Sequence, residues 1–232
     1  MYYFDWTYVV LVMPAFLFSL WASAQVKSAF ARYSRVRNSR GITGAQAAQA
    51  LLEAHGINDV SIQQTGGQLS DFYDPSKKLV KLSVYNDTSV AAVGVACHEI
   101  GHAIQHAENY FPVKLRAAIV PITNFGSRLS IPLILLGIIM SYSAYYWYNL
   151  VYLGIALFGL CVVFQLVTLP VEFNASRRAL QGIQELGLLA PEEEKGARKV
   201  LRAAALTYVA ALAISLAQLL RLLLIFGGGR RD

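Results

Sequence analysis

The chain has 232 residues, of which 56% are apolar and 15% are charged, and its mean hydropathy is positive. Soluble domains carry about 25% charged residues, so this composition excludes an ordinary soluble domain and indicates several membrane spans. The net charge of +6 does not predict a nucleic-acid partner, because the Lys and Arg residues border apolar stretches and form no aromatic-rich basic surface.

Four apolar stretches are long enough to cross a bilayer as helices, which takes about 20 residues each. The first begins with aromatic residues and lacks a basic flank, as expected of a signal anchor and not of a cleaved signal peptide. The predicted spans are residues 2–24, 129–148, 150–171 and 203–226. The expected organisation begins with transmembrane helix 1 in residues 1–25 and a cytoplasmic domain in 26–116. Residues 117–171 follow, with an interfacial segment in 117–128 and then transmembrane helices 2 and 3. The chain continues with a cytoplasmic helical segment in 172–202, transmembrane helix 4 in 203–226 and a flexible tail in 227–232.

The distribution of basic residues predicts the orientation in the membrane. Seventeen of the twenty Lys and Arg residues fall within residues 27–128 and 177–202, which four spans place on one side. Short loops rich in Lys and Arg stay in the cytoplasm, so this side is predicted to be cytoplasmic and the chain to be a multi-pass protein of the cell membrane. Arg221 falls inside the fourth span, where it has to snorkel or face protein.

The stretch after the first span has the pattern of a small soluble domain. Thr43 is the predicted N-cap of a helix that runs to His55 and stops at Gly56. Two strand-like runs follow, residues 60–64 and 79–85, with turn-forming residues between them. These strands either offer an edge to which an extended peptide can add, or form a hairpin that only covers the next helix; the sequence leaves both open.

The next segment carries the motif H-E-x-x-H. His98 and His102 are four residues apart, so on a helix both imidazoles reach one divalent metal, while Glu99 can act as base toward a bound water. The residues after Asp87, the predicted N-cap, are apolar on nearly every side, as in a helix buried at the centre of a domain. Buried His and Glu side chains need a partner, and a metal supplies one. Cys97 is predicted to be a small core residue.

A catalytic zinc usually has three protein ligands and keeps a fourth position for water. His106 lies on the same helix face as the motif, but one further turn along the axis carries it too far to close a tetrahedral shell. Glu172, just after the third span, is the better candidate. Its spacing alone does not separate a ligand from an interfacial carboxylate paired with Arg177 or Arg178.

Four segments in a fixed order carry a family pattern: residues 71–78, 82–83, 96–107 and 170–180. Together with the spans between them, they resemble the YugP-like family of membrane neutral zinc metallopeptidases. More distantly, residues 172–175 resemble the third-ligand helix of the HtpX and CAAX prenyl protease families. Those families usually have Asp at the position of Ser176.

The resemblance implies a zinc ion held by His98, His102 and Glu172. It also implies that Glu99 is the base that takes a proton from the activated water before it attacks a peptide carbonyl. Cobalt or manganese would accept the same ligands, but zinc is the expected ion. Six further residues are candidates for stabilising the oxyanion or for donating or accepting a hydrogen bond that orients a metal ligand: His106, Asn174, Ser176, Arg177, Arg178 and Tyr208.

The expected fold is therefore mainly α: an integral membrane protein with about four transmembrane helices and a small α+β, zincin-like cytoplasmic domain whose active-site helix carries H-E-x-x-H. The expected function is hydrolysis of peptide bonds in membrane or membrane-adjacent proteins, because a ligand at the end of a span holds the site near the bilayer surface. The alternative is a membrane scaffold or regulator with a structural metal, whose fourth protein ligand would be His106 or Cys97. A transporter is disfavoured because the spans carry few ionisable residues. The sequence leaves open the oligomeric state and a membrane partner that regulates the protein.

Overall fold

The computed structural model describes residues 5–67 and 70–227, and within them the architecture is mainly helical. The helices are α1 (Met13–Tyr33, after a short π-helical segment at Tyr8–Val12), α2 (Gly44–Ala54), α3 (Val90–Ala107), α4 (Phe111–Ser141), α5 (Tyr148–Glu185, after a 3-10 turn at Tyr145–Trp147) and α6 (Pro191–Gly227). The strands in this described part are β1 (Ser61–Gln64), β2 (Phe72–Asp74) and β3 (Leu79–Leu82).

Among the described residues, four helices are long and apolar enough to cross a membrane, which confirms the predicted number of candidate spans. These helices contain between 26 and 41 residues, whereas a bilayer crossing needs about 20. Each of these helices is therefore longer than the apolar stretch that would cross the bilayer. The four are Tyr8–Tyr33, Phe111–Ser141, Tyr145–Glu185 and Pro191–Gly227.

The helix boundaries differ from the predicted segments, because a helix does not end where its hydropathy changes. The predicted interfacial segment 117–128 belongs to the continuous helix α4, which ends at Ser141 and not at residue 148. The residues that follow are rich in Tyr and Trp, which look apolar in a hydropathy profile but prefer the membrane interface. The predicted segment 172–202 is divided between the end of α5 and the start of α6. Beyond Gly227, the predicted tail lies outside the described residues.

The chain divides into two compact units. The first unit contains residues 1–21, 114–169 and 208–232, and the second contains residues 22–113 and 170–207. The sheet, α2 and α3 belong to the second unit. Helices α5 and α6 are each divided between the two units. The second unit is thus assembled from two separate stretches of sequence.

In the first unit, α4, α5 and α6 share a small apolar cluster that contains Ile134, Val151, Ile155 and Leu222. Arg221, in the same helix as Leu222, faces protein, as one of the two predicted options requires. Its Nε donates to the Asp5 carboxylate at 2.9 Å, and its guanidinium lies 5.4 Å from the centre of the Tyr8 ring. The charge of Arg221 is therefore paired.

In the second unit, α2 begins and ends as the sequence predicts. Thr43 Oγ1 accepts a hydrogen bond from the backbone N–H of Gln46 at 3.2 Å, and Gln46 Oε1 accepts one from the backbone N–H of Thr43 at 2.9 Å. This reciprocal capping box satisfies two donors at the helix start. The helix stops at His55, and Gly56 follows with φ +66°. The apolar face of α2 enters the core of the second unit together with β3 and α3.

The sheet has the strand order β1-β3-β2, with β1 parallel and β2 antiparallel to β3. Strand β2 was not predicted, because it has only three residues, and its last residue, Asp74, and the next residue, Pro75, are typical of a turn. Strand β3 ends at Leu82 and not at residue 85. Because β3 is the central strand, an added peptide would have to pair with β1 or β2, not with the strand that leads into α3.

Helix α3 is buried along most of its length. Its N-cap is Ser89, whose hydroxyl accepts a hydrogen bond from the backbone N–H of Ala92 at 3.1 Å, and not the predicted Asp87. Asp87 instead accepts hydrogen bonds from the backbone N–H and the hydroxyl of Ser89, at 2.8 and 3.0 Å. Ser and Asp both cap helices well, and Ser89 is the one that directly precedes Val90, the first helical residue.

Helices α3 and α5 cross with their backbones in direct contact. A Cβ atom added at Gly101 would lie 2.5 Å from the carbonyl oxygen and 3.0 Å from the carbonyl carbon of Ala175. Only glycine permits this approach. Gly101 directly precedes His102, and Ala175 lies three residues after Glu172, so the contact brings these two side chains to the same crossing.

We expect Gly101→Ala to destabilise the protein by about 1–3 kcal/mol, because the added methyl group overlaps the backbone of Ala175 and forces α3 and α5 apart. Thermal unfolding of the purified protein in detergent would show this as a lower Tm. Gly159→Ala is the matched control, since nothing lies within 4 Å of a Cβ at Gly159. A Tm equal to that of the wild type would contradict the close crossing.

Candidate metal centre

Three side chains that can bind a metal lie together in the second unit. The ligand atoms of His98, His102 and Glu172 are all within 4.8 Å of one another. Glu172 Oε2 is 3.4 Å from Nε2 of His98 and 3.5 Å from Nε2 of His102. The two imidazole rings are nearly perpendicular, with 4.9 Å between their centres. One carboxylate oxygen thus faces the same ring nitrogen of both histidines.

This donor set fits a zinc ion. Tetrahedral bonds of about 2.0–2.2 Å from zinc to nitrogen and oxygen place neighbouring ligand atoms about 3.4 Å apart. The carboxylate oxygen of Glu172 has this separation from each imidazole nitrogen. Two imidazoles and one carboxylate also form a ligand set that catalytic zinc sites use, because it leaves one position for water.

A buried amide orients His102. The Nδ1 atom of His102 lies 3.1 Å from Oε1 of Gln105, which can only accept a hydrogen bond. The Nδ1 atom therefore carries a proton, and Nε2 keeps its lone pair on the side of Glu172 in the neutral ring. Gln105 Nε2 donates to the backbone oxygen of Val171 at 2.8 Å and to Oδ1 of Asn174 at 2.9 Å. These two bonds decide which end of the amide faces the imidazole.

Ser176 contacts the other histidine. Its hydroxyl oxygen lies 3.2 Å from Nδ1 of His98. The hydroxyl thus lies on the side of His98 that is opposite the candidate metal position. Both histidines consequently have a polar partner at Nδ1, and both use Nε2 toward Glu172.

Asn174 links this site to the protein surface. Its Oδ1 accepts a second hydrogen bond from Nε of Arg178 at 2.7 Å. The guanidinium of Arg178 also pairs with Glu108 at 2.6 Å and lies 6.0 Å from the centre of the Tyr110 ring. Asn174 and Arg178 therefore hold the buried amide of Gln105 in place.

Glu99 is buried in α3, with 9% of its surface exposed. Burial raises the pKa of the Glu99 carboxyl, and the positive charge that His98 and His102 can carry offsets this only in part. For His102, burial lowers the pKa, but the hydrogen bond to Glu172 and the charge of that carboxylate outweigh it and leave the pKa raised. A metal has to compete with a proton at His102.

Other predicted residues lie elsewhere. His106 Nδ1 is 3.3 Å from the hydroxyl of Tyr73, and His106 is not part of the ligand group. Arg177 is exposed and lines a cavity between α5 and α6. Tyr208 belongs to the first unit. Cys97 is fully buried in the core, as predicted, and burial raises the pKa of its thiol to about 12.

Almost the whole chain matches a known family: residues 8–227 fit the family described as "Putative neutral zinc metallopeptidase". The chain belongs to this family. A relative, "Putative membrane protease YugP" of Bacillus subtilis (strain 168), is 48% identical over 227 residues, which covers 97% of this chain and 99% of that protein. No solved structure matches the chain significantly. The resemblance to YugP-like neutral zinc metallopeptidases is thereby confirmed.

Sequence reasoning missed two residues at this candidate metal centre. One is Gln105, an amide that lies three residues after His102 in an otherwise apolar helix. This position could have revealed it, because an amide buried in such a helix needs polar partners. The other is Gly101, whose place inside the motif gave no sign of a helix crossing. Both act through distant parts of the chain, at residues 171–175.

We expect Gln105→Leu to weaken zinc binding about 10- to 100-fold, because His102 loses the acceptor that fixes its ring. Competition with a fluorescent zinc chelator measures the dissociation constant. Gln49→Leu is the matched control, since the Gln49 side chain bonds to Glu53 at an exposed position on α2. An unchanged zinc affinity in Gln105→Leu, together with a normal Tm, would show that His102 does not depend on this amide.

Proposed function

We propose that this member of the neutral zinc metallopeptidase family is a membrane-embedded, zinc-dependent endopeptidase. The observation that carries the proposal is the grouping of His98, His102 and Glu172, whose ligand atoms lie within 4.8 Å of one another. The description of the family and the name of the YugP relative support it.

In this proposal His98, His102 and Glu172 hold the ion and leave a fourth position for water and substrate. When bound, zinc supplies Lewis-acid chemistry that polarises a peptide carbonyl and makes water more acidic. Ser176 and Gln105 keep the two imidazoles oriented through their Nδ1 atoms. Asn174 and Arg178 act as positioning residues, because they reach the ligands only through Gln105.

Glu99 is the proposed general base. Its carboxylate takes a proton from the water that attacks the peptide carbonyl, and it gives that proton to the amine nitrogen as the peptide bond breaks. The raised pKa of Glu99 supports this role, because burial makes its carboxylate a stronger base than the carboxylate of an exposed glutamate.

The proposed substrates are membrane proteins or segments next to the membrane. Helix α5 runs without a break from its apolar first part to Glu172, so a proposed metal ligand follows directly on a candidate span. The proposed orientation places the second unit in the cytoplasm of the cell. The concentration of Lys and Arg residues in 27–128 and 177–202 supports this orientation.

Glu99→Gln should bind zinc as the wild type does but cleave unfolded casein about 100- to 10,000-fold more slowly, because an amide cannot accept the proton. Glu172→Ala should lose zinc and activity together. Chelation should abolish cleavage by the wild type, and added zinc should restore it. Zinc content and release of fluorescent casein peptides from the purified protein measure these effects.

Glu53→Gln is the control for Glu99→Gln, since it makes the same change at an exposed position on α2. Full activity of zinc-loaded Glu99→Gln would remove Glu99 as the base. If the zinc-loaded wild type cleaves neither free casein nor casein tethered to vesicles, the alternative of a membrane scaffold or regulator with a structural metal is favoured. Equal cleavage of free and tethered casein would remove the proposed preference for membrane-adjacent substrates.

The cytoplasmic orientation predicts that Lys77→Cys, in a Cys161→Ser background, is protected from a membrane-impermeant maleimide in intact cells and labelled in inverted vesicles. Lys77 lies in the turn between β2 and β3, and 72% of its side chain is exposed. Cys97 stays unlabelled in both preparations because it is buried and protonated. Labelling of Lys77→Cys in intact cells would reverse the orientation.

A further inference from the structure

A cavity of about 570 Å³ lies between α5 and α6 in the second unit. Its lining combines apolar side chains with three guanidinium groups. The residues that matter are Phe173, Leu180 and Leu201 for the apolar wall and Arg177, Arg198 and Arg202 for the charge. A cavity with this composition suits a molecule that is apolar over most of its length and anionic at one end.

The three arginines are available to such a ligand. All three are exposed, and none of them forms an ion pair within the part of the chain that the structure describes. This contrasts with Arg178 and Arg221, which pair with Glu108 and Asp5. Guanidinium groups bind phosphate oxygens in a forked geometry, so three of them around one cavity favour a phosphate-bearing ligand.

The position of these arginines along their helices matches the lipid headgroup layer. The predicted spans end at residue 171 in α5 and begin at residue 203 in α6. With a rise of about 1.5 Å per residue, Arg202, Arg198 and Arg177 lie about 1.5, 8 and 9 Å beyond those ends along the helix axes. The polar layer of a bilayer extends roughly 5–8 Å beyond the hydrocarbon on each side. The backbones of Arg202 and Arg198 thus fall within the depth of the polar layer, and the backbone of Arg177 lies about 1 Å beyond it.

The cavity also lies behind the candidate metal centre and not in front of it. Ser176 lines the cavity and contacts His98 at Nδ1, whereas Nε2 is the nitrogen that faces Glu172. A peptide undergoing cleavage has to approach the Nε2 side. The cavity is therefore better suited to a separate ligand than to the peptide being hydrolysed.

We propose that this cavity binds one anionic phospholipid, with its phosphate at Arg177, Arg198 and Arg202 and an acyl chain against the apolar wall. The site goes beyond the proposed peptidase function, and lipid binding can be measured whether or not the protein cleaves peptides. Zwitterionic lipids of the same chain length bind more weakly, because their headgroup brings a positive charge toward three cations.

Native mass spectrometry of the delipidated full-length protein, titrated with phosphatidylglycerol or phosphatidylcholine of equal chain length, tests the proposal. We expect one phosphatidylglycerol to bind in preference to phosphatidylcholine. The double variant Arg198→Gln/Arg202→Gln should weaken that binding about tenfold or more, since each basic residue near a membrane surface contributes substantially to anionic lipid binding. Arg177→Gln, on the opposite wall, should weaken it severalfold by itself.

The control is Lys195→Gln/Lys199→Gln, which removes the same charge from exposed positions on the same helix that do not line the cavity. Equal loss of phosphatidylglycerol in both double variants would overturn the proposal, because it would indicate general surface charge. Equal binding of phosphatidylcholine, or of inorganic phosphate without chains, would also overturn it. Binding of an acidic peptide that phosphatidylglycerol fails to displace would identify a peptide subsite instead. If the arginine double variant has a lowered Tm, its weaker lipid binding can reflect a less stable fold, and the binding of phosphatidylglycerol to Arg177→Gln then decides whether the proposal holds.

Discussion

The contact between Gly101 and the backbone of Ala175 is the constraint on which the rest of the candidate site depends. It lets α5 cross α3 without side chains between the two backbones. Glu172 lies one turn before the contact on one helix, and His102 directly follows it on the other. Packing of the two helices, and not the motif alone, therefore sets the 3.4 and 3.5 Å separations between the carboxylate and the imidazoles.

Around this crossing, buried polar groups satisfy one another. Gln105 is completely buried, yet its amide forms three hydrogen bonds. Its oxygen accepts one from His102, and its nitrogen donates to the backbone oxygen of Val171 and to Asn174. A buried amide with all of these partners rigidifies its surroundings, whereas the same amide without them would cost stability. The network continues through Arg178 to the surface, so the orientation of one imidazole is coupled to an exposed ion pair with Glu108.

The sequence was most informative where the evidence is local. The H-E-x-x-H spacing, the N-cap of α2 at Thr43 and the length of the apolar stretches each follow from neighbouring residues, and the family resemblance supplied Glu172, which spacing alone left open. It was least informative where distant segments meet. Strand β2 is too short to have a pattern of its own, and the partners of Gln105 and Arg221 are 66 and 216 residues away. The roles of Glu99 and the three proposed ligands stay predictions.

The way in which the second unit is assembled has a practical consequence for biochemistry. Its two stretches, residues 22–113 and 170–207, are separated by all of α4 that follows Val113 and by the apolar part of α5. A truncated polypeptide that stops before α4 contains both imidazoles but lacks the carboxylate, and one that starts at α5 contains only the carboxylate. No contiguous water-soluble fragment can therefore stand in for the intact chain, and metal binding and peptide cleavage have to be measured in detergent or lipid.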